Sequence, residues 1–582
     1  METIQSREDM PTKRTPSAGR TVLGLVLLLP ALLCCISQLL LPTVNTLLMS
    51  FQEINLFASE TEWVGLENYA SLFGNESFWR AAGFTLITLV VRLLALALVP
   101  LLLAWAASQF RRPLRLGLRI LFTLPVVFFV PVAIAVTWLM LLSPVDGLFR
   151  FEEPWLASAA SARSVLLFID ALYLLGLASG LGLMVFMPLW RRPADTPPPT
   201  FREVLKPMLA TWVVGMLGVI VLTLSTFTLS FVLTNGGPAG STNTLGTLLY
   251  LLAFRNFEMG PGASMASLIL FVTLLLGIIA GLVVVLSRLR LDLVGREPRL
   301  DGADPATATK RSQPLAAAVF VLLTLGICIF GALPFGWLLP QVFGEDGLGS
   351  LMEQISAGRV FINSFLPPLV TASLQVLTAY LAALGIGALQ PFGQRSGWLL
   401  LLFSPWLFIN VLPLSLVNIL AAQQAGRLDT FLGSVSPILL SIPALFILTI
   451  FFTARASHVP PETQAGEAQA GPNLFEQFIL PSLPLAGVLW LLLVFFNGQD
   501  LFWPLLASGN PERYTLHVTL LQLLGMFGGA NNMLAAAITF FILPVSVFFF
   551  VCLVPFQIFT LDRLRLYTEE PSTEKTAQDP QQ

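Results

Sequence analysis

Charge is what this sequence has least of. Asp, Glu, Lys and Arg make up 11% of its 582 residues, against about 25% in soluble globular chains. With a hydrophobic share of 55% and a mean hydropathy of +0.80, this excludes an ordinary soluble domain and fits a chain that crosses a membrane many times. Histidine is nearly missing. Only His458 and His517 are present, too few for a histidine-built metal centre. Cysteine is scarce too, and Cys34, Cys35, Cys328 and Cys552 all sit inside apolar runs, where they read as small core residues rather than a disulfide framework. Lysine occurs only at Lys13, Lys206, Lys310 and Lys575, and none of these follows a glycine. A Gly-Lys-Ser/Thr phosphate loop is therefore absent, and the chain does not hydrolyse ATP by that route. Energy for uphill transport has to come from another subunit or from an ion gradient. The net charge of −2 carries no signal for nucleic acid, and no nucleic-acid partner is expected.

What the sequence does have is long apolar runs. A helix needs about 20 apolar residues to cross a bilayer. By that measure twelve spans are predicted, near residues 23–49, 81–107, 120–142, 165–189, 208–233, 265–287, 314–340, 364–390, 398–421, 434–454, 479–497 and 533–559. The first run is longer than a signal-peptide core and has no convincing small-residue cleavage site after it, so it reads as a retained span. A charged stretch rich in small residues, "RLRLDLVGREPRLDGADPATATKRSQ", separates the sixth span from the seventh and reads as a linker. The expected organisation is an all-α polytopic membrane protein. It has a tail over 1–20, a first six-helix half over 21–290, a linker over 291–313, a second half over 314–560 and a tail over 561–582.

Basic residues orient this plan. Of 31 Lys and Arg, only Arg80, Arg150, Arg163, Arg255, Arg359, Arg427 and Arg513 fall on one side, and Arg92 lies within a span. The rest fall on the side of the termini, so both termini are expected in the cytoplasm. Two halves in the same orientation imply a parallel repeat with a pathway at their interface. The repeat is faint. "NESFWRAAGFTL" enters span two as "SAGRVFINSFLPPL" enters span eight, and Pro125 and Pro131 in span three are echoed by Pro405 and Pro413 in span nine. Such prolines break or bend a span.

Two ionisable residues lie within spans, where they are expensive. Arg92 is near the middle of span two and Asp170 lies in span four; a pair between them lowers the desolvation cost. Such a pair is open to two readings, a structural ion pair or a transport group. Among the loops, "WVGLENYASLF" (63–73) lies outside the first span, and "NGGPAGSTNTL" turns sharply after span five; a short amphipathic helix is expected to follow it and cap the mouth. On the inner side "PPPTFREVLKPML" and "PNLFEQFILPSLPL" place Phe201 six residues before Pro207 and Phe475 six before Pro481. Each predicts a short helix with an exposed aromatic ahead of a span-entry proline. Their occurrence at the same place in both halves points to docking on a two-fold partner.

These pieces resemble the paired permease subunits of carbohydrate-type ABC importers, the maltose and glycerol-phosphate group, fused into one chain. The first half resembles one permease through "LLLPTVNTLLMSFQEINL", "WVGLENYASLFGNESFW", "LPVVFFVPVAIAVTW" and "FVLTNGGPAGSTNTL". The second half resembles the other through "FINSF", "GRLDTFLG" and "DLFWPLLASGNPERYTL". The resemblance implies the type I ABC importer permease fold in the plasma membrane (the inner membrane of a bacterium). It implies two ABC ATPase subunits that bind the ATP, with no cofactor in this chain, and an extracytoplasmic solute-binding protein delivering a sugar or sugar-like solute. It places Glu67, Asn68 and Tyr69, with the Gly236-Gly237-Pro238 turn, on the face where that protein docks, and leaves two readings open for the loop: packing on the helix ends, with Glu67 and Asn68 bonding backbone groups, or direct contact with the protein. It assigns ATPase coupling to Phe201, Pro207, Glu462, Glu467, Phe475 and Pro481. The Glu-Ala-Ala start of the family's coupling loop is altered to Glu462-Thr463-Gln464 in the second half and replaced by Pro188-Leu189-Trp190 in the first. Phe84 replaces the Asn of an Asn-Thr pair that Asn363-Ser364 keeps in the second half. Polar residues suited to a hydroxyl-rich solute make the candidate pathway Arg92, Asp170, Asn363, Asn410, Asn497, Gln499 and Asp500. Two alternatives stand beside the importer. One is an ion-coupled secondary transporter; the other is a degenerate permease serving as scaffold or sensor, motivated by the worn first-half loop.

Overall fold

The protein is described here from a computed structural model over residues 18–55, 60–143, 155–190, 200–294, 313–343, 347–457, 474–526 and 531–569. A backbone in lipid must satisfy its own hydrogen bonds, and the apolar runs accordingly become helices. The first half comprises α1 (Ala18–Met49), a hairpin of β1 (Gln52–Asn55) and β2 (Glu60–Trp63), α2 (Glu67–Gly74), α3 (Glu76–Ser108), α4 (Arg112–Phe128), α5 (Pro131–Leu141), α6 (Ala159–Trp190), α7 (Phe201–Thr234), α8 (Leu245–Arg255), α9 (Met259–Ser287) and β3 (Leu289–Leu293). The second comprises α10 (Pro314–Leu338), α11 (Leu348–Gln354), α12 (Ala357–Leu389), α13 (Ser415–Gln424), α14 (Ile442–Ser457), α15 (Phe475–Gly498), α16 (Phe502–Ala507), α17 (Leu516–Met526), α18 (Asn532–Arg563) and β4 (Leu564–Thr568).

Among the described residues nine helices are long and apolar enough to cross a membrane, and the bent pair α4–α5 is a tenth candidate. Twelve spans were expected, and the differences fall at spans three, nine and ten. Span three is α4 and α5, bent by 76° where Pro131 removes a backbone donor. Span nine is a series of 3-10 turns, Gly393–Leu402, Ser404–Trp406 and Leu412–Leu414, before α13. Pro405 and Pro413 interrupt it. Its apolar residues, such as Leu400, Phe403 and Leu414, are buried in protein, the setting in which irregular backbone is tolerated at membrane depth. Span ten shortens to the 16 residues of α14. The extended stretch before it is held by side chains. Thr371 Oγ1 accepts from the Ser436 N–H at 3.2 Å, Gln375 Nε2 donates to Ile438 O at 2.9 Å, and Gln38 Oε1 accepts from the Leu439 N–H at 2.7 Å. Apolar composition reads the same whether lipid or protein surrounds it, which is why these segments passed as spans.

The halves exchange their first helices. α1 packs on the second half: Gln38 reaches Leu439, and Trp406 Nε1 donates to Thr43 Oγ1 at 3.1 Å. In return α10 packs on the first, where Phe330 meets Phe168 with ring centroids 6.3 Å apart.

A second departure from the all-α expectation joins the halves at their other ends. β3, at the start of the expected linker, and β4, in the expected tail, form an antiparallel ribbon in which Leu289 pairs with Thr568, Leu291 with Leu566 and Leu293 with Leu564. Arg290 closes it with bonds of 3.0 and 2.7 Å to Glu569 Oε2. Beside it Asp562, buried at the end of α18, accepts from Arg112 of α4 at 3.2 Å and from Arg119 at 3.4 Å.

Candidate functional site

The first-half charges come together as the sequence allows. Arg92 on α3 and Asp170 on α6 form a bidentate pair, Nε to Oδ2 at 2.8 Å and Nη2 to Oδ1 at 2.6 Å. The remaining guanidinium nitrogen donates to Thr226 Oγ1 at 2.7 Å and Thr223 Oγ1 at 3.3 Å on α7. Both charged residues are buried. A buried pair of this kind is tolerated only when its hydrogen bonds are satisfied, and here it ties three helices into one strut.

The second half is built differently. Where α15 ends, Asn497 Nδ2 donates to Gln375 Oε1 at 2.9 Å. Asn363 Nδ2 donates to Glu512 O at 2.9 Å and Tyr514 O at 3.3 Å. Asp500, just past the span, accepts from the Phe502 N–H at 3.0 Å, and burial pushes its carboxyl up to about 6 against those backbone bonds. Asn363, Asn497 and Asp500 line one polar cleft with Ser434, Ser436 and Thr515. A second cleft shares Ser364, Pro368 and Gly498 with the first and adds Gln499, His517 and an apolar wall that includes Phe365, Phe495 and Phe549. Gln499 Nε2 and both ring nitrogens of His517 are buried in it without a hydrogen-bond partner among the described residues. Asn410 lies in broken span nine, lines neither cleft, and leaves its Oδ1 unpaired. Arg92 and Asp170 are likewise apart from both clefts.

His517, Ser434, Ser436 and Thr515 line these clefts and were not singled out from the sequence. A signal for His517 exists. "NTLGTLLYLL" (243–252) and "YTLHVTLLQLL" (514–524) align at Thr244-Leu245 and Thr515-Leu516. The structure repeats one bond there: Leu245 N–H donates to Thr85 Oγ1 at 2.9 Å, and Leu516 N–H to Ser364 Oγ at 2.7 Å. Phe84 and Asn363, which precede those acceptors, and Gly246 and His517, which follow those donors, are thus structural counterparts.

At the outer ends, Asn68 is turned inward, donating to Ser50 O at 3.1 Å and Gln52 O at 3.0 Å, while the Tyr69 hydroxyl meets Ser50 Oγ at 2.7 Å. Trp63 stacks on Phe51 with centroids 5.6 Å apart. Glu67 stays exposed in the first turn of α2. Gly236 is buried at φ +80° in a turn with half-buried Gly237 and Pro238, and Arg80 and Arg163 pin that loop through Ala239 O at 3.0 Å and Ser241 O at 2.8 Å. The helix expected to cap the mouth is α8, an apolar helix with Leu248, Leu249 and Leu252 buried rather than an amphipathic cover. At the ends expected to face inward, Phe201 and Phe475 are 61% and 55% exposed. They begin the spanning helices α7 and α15 themselves rather than separate short helices; Pro207 lies within the first turns of α7 and Pro481 follows a π-helical opening turn of α15. Glu462 and Glu467 lie outside the described residues.

Spanning helices and broken spans with protein-held backbone define an all-α polytopic membrane protein. No family model matches the chain. It is 34% identical over 121 residues to the diacetylchitobiose uptake system permease protein DasB of Streptomyces coelicolor, covering 20% of this chain and 37% of DasB. It is 26% identical to the sn-glycerol-3-phosphate transport system permease protein UgpE of Agrobacterium fabrum, over 33% of this chain and 69% of that protein. It is also 26% identical to the sulfoquinovosyl glycerol transport system permease protein SmoG of the same organism, over 43% of this chain and 85% of SmoG. The chain thus spans about a third of DasB and most of UgpE and SmoG. Over the matched stretches the chain is similar to permease proteins of carbohydrate-type uptake systems.

Proposed function

We propose that the chain is the membrane component of a binding-protein-dependent ABC importer for a sugar or sugar-like solute, with both permease halves in one polypeptide. The observation that carries this reading is the equivalence of the halves. The same strand follows the last span of each, the first helices are exchanged, and one backbone-to-hydroxyl bond recurs at Thr85 and Ser364. The relatives support it: 43% of this chain accounts for 85% of SmoG, so one permease fills less than half of the sequence. Separate ATPases engaging the inner ends near exposed Phe201 and Phe475 drive the halves between inward- and outward-facing states. A binding protein docks at the outer loops around Glu67 and the 236–238 turn. Both termini lie in the cytoplasm of a plasma-membrane protein. This orientation is supported by the basic residues, since all but eight of the 31 Lys and Arg fall on the side of the termini. The mutual satisfaction of Arg92 and Asp170 speaks against a proton relay through them. The test is gentle affinity purification of the tagged chain from its native membranes, with co-purifying proteins counted by mass. Two ATPase subunits per chain are expected, and one means asymmetric coupling. None, where a control transporter stays intact, rejects the importer in favour of ion-driven transport or a scaffold.

A further inference from the structure

The two halves share one backbone-to-hydroxyl bond and differ at the position that follows it. In the first, the intramembrane charges consume one another's hydrogen bonds. The position after Leu245 is Gly246, where a Cβ would come within 2.5 Å of Thr226 O and 3.2 Å of a Leu412 methyl; there is no space and no polar side chain. At the counterpart position the second half has His517, 4% exposed, lining a cleft with both ring nitrogens unpaired among the described residues and the unpaired Gln499 Nε2 on the same cleft. A buried donor or acceptor left unsatisfied is costly, so three idle atoms on one cleft point to a partner that comes and goes.

We propose that this cleft, whose polar groups come from the second half and whose wall includes Val130 of the first, is a solute subsite that takes a hydroxyl-bearing end of a neutral polyol or sugar. The chemistry of the lining selects that class. An uncharged imidazole offers one donor and one acceptor, and the Gln499 amide offers donors; a hydroxyl, which donates once and accepts twice, satisfies both side chains. The wall of Phe365, Phe495 and Phe549 suits the apolar face of a sugar ring. No lysine or arginine is among the described residues lining either cleft, and Asp500 is, so a phosphate or sulfonate finds no countercharge. In this conformation the cleft has a volume of about 40 Å³, enough for roughly two or three waters or one hydroxymethyl group. The rest of the solute extends toward the adjoining polar cleft with Asn363 and Asn497. This inference rests on the transport reading above and adds to it where the solute binds and which charge it bears.

The test uses carbethoxylation of His517 by diethyl pyrocarbonate in the intact purified complex, with His458→Ala removing the chain's other histidine. The modified residue is identified by mass. Diacetylchitobiose, glucose and glycerol are the neutral probes, and glycerol 3-phosphate is the anionic one. At ten times its half-protecting concentration a neutral probe is expected to slow modification about tenfold, as simple occupancy requires, while glycerol 3-phosphate gives no protection. Gln499→Leu is expected to raise the half-protecting concentration about tenfold, measured against the variant's own rate without probe. Equal protection by glycerol 3-phosphate overturns the charge selection. Absence of protection by every neutral probe overturns the site. Loss of protection with two ATPases still co-purifying rejects the subsite alone. Protection with no ATPase rejects the importer reading and leaves the subsite standing.

Discussion

Leu291 stands opposite Leu566 at the centre of the β3–β4 ribbon, and each is the fourth residue of an identical run, Arg288-Leu289-Arg290-Leu291 and Arg563-Leu564-Arg565-Leu566. An antiparallel pair in which equivalent residues face each other is self-complementary, as at a two-fold interface. The local axis relating the halves therefore passes between these two leucines. Two strands alone are marginal, so the ribbon persists because the spans and the Asp562–arginine cluster bring its ends together. Leu566→Pro removes a backbone donor and fixes φ. When the halves are expressed as separate chains divided after residue 303, they are expected to co-purify, and Leu566→Pro to reduce recovery several-fold. Undiminished recovery would show that the ribbon is not what joins the halves.

The Arg92–Asp170 strut makes a prediction about sign. Removing one partner of a buried pair leaves a lone charge and costs about 3–5 kcal/mol, whereas replacing both with apolar residues is often neutral. Arg92→Met and Asp170→Leu are each expected to lower the thermal midpoint sharply, and the double variant to recover most of the loss along with transport. A double variant that is stable but transports nothing would reassign the pair to the solute path.

Much of this was legible from residues alone, and the illegible part has a common cause. Arg92 and Asp170 were readable as a pair because charge in an apolar run demands a partner. Asn363, Asn497 and Asp500, which line one cleft, stood out because polar groups at span ends are few. Spans nine and ten were misread because hydropathy does not distinguish Phe403 in a protein core from a lipid-facing phenylalanine. The Arg-Leu-Arg-Leu repeat was present in the text but lay within what looked like linker and tail. His517 was weighed only as a metal ligand, and its meaning depends on Gly246, a counterpart that the shared bond to Thr85 and Ser364 identifies.

Asp500 carries the pH dependence. Its carboxyl sits at about 6, while an unfolded aspartate titrates near 4. Between those values the folded protein holds a proton that the unfolded chain has released, so stability falls as pH rises through that window and levels off above it. Thermal midpoints measured from pH 4 to 7 are expected to decline, and Asp500→Asn to flatten the decline. A steeper decline in the variant would contradict the assignment.

Phe201 and Phe475 are exposed at the inner ends of α7 and α15, so neither supports the fold. Alanine at either position is expected to change stability by less than about 0.5 kcal/mol while lowering the yield of co-purifying ATPase, with the double variant losing it. Unchanged ATPase recovery from a folded double variant would remove both aromatics from the coupling surface.

The outer loop separates holding from docking. Asn68 is buried with its amide shared between the Ser50 and Gln52 carbonyls, and its neighbour Glu67 is exposed. Asn68→Leu removes the side-chain donor to Gln52 O and one of the two side-chain donors to Ser50 O, at about 1–3 kcal/mol, so it is expected to lower the thermal midpoint. Glu67→Lys leaves the fold intact and reverses a charge on the surface proposed to meet the binding protein. A rim charge acts mainly on association rate and salt dependence. Uptake measured with the native binding protein is therefore expected to slow in Glu67→Lys at low salt and to approach the wild-type rate as salt rises, with stability unchanged throughout. If Glu67→Lys transports normally at every salt concentration, docking lies elsewhere on the outer face and the α2 segment serves only to close the ends of α1 and α9, where Ser264 Oγ donates to Ser50 O at 3.2 Å.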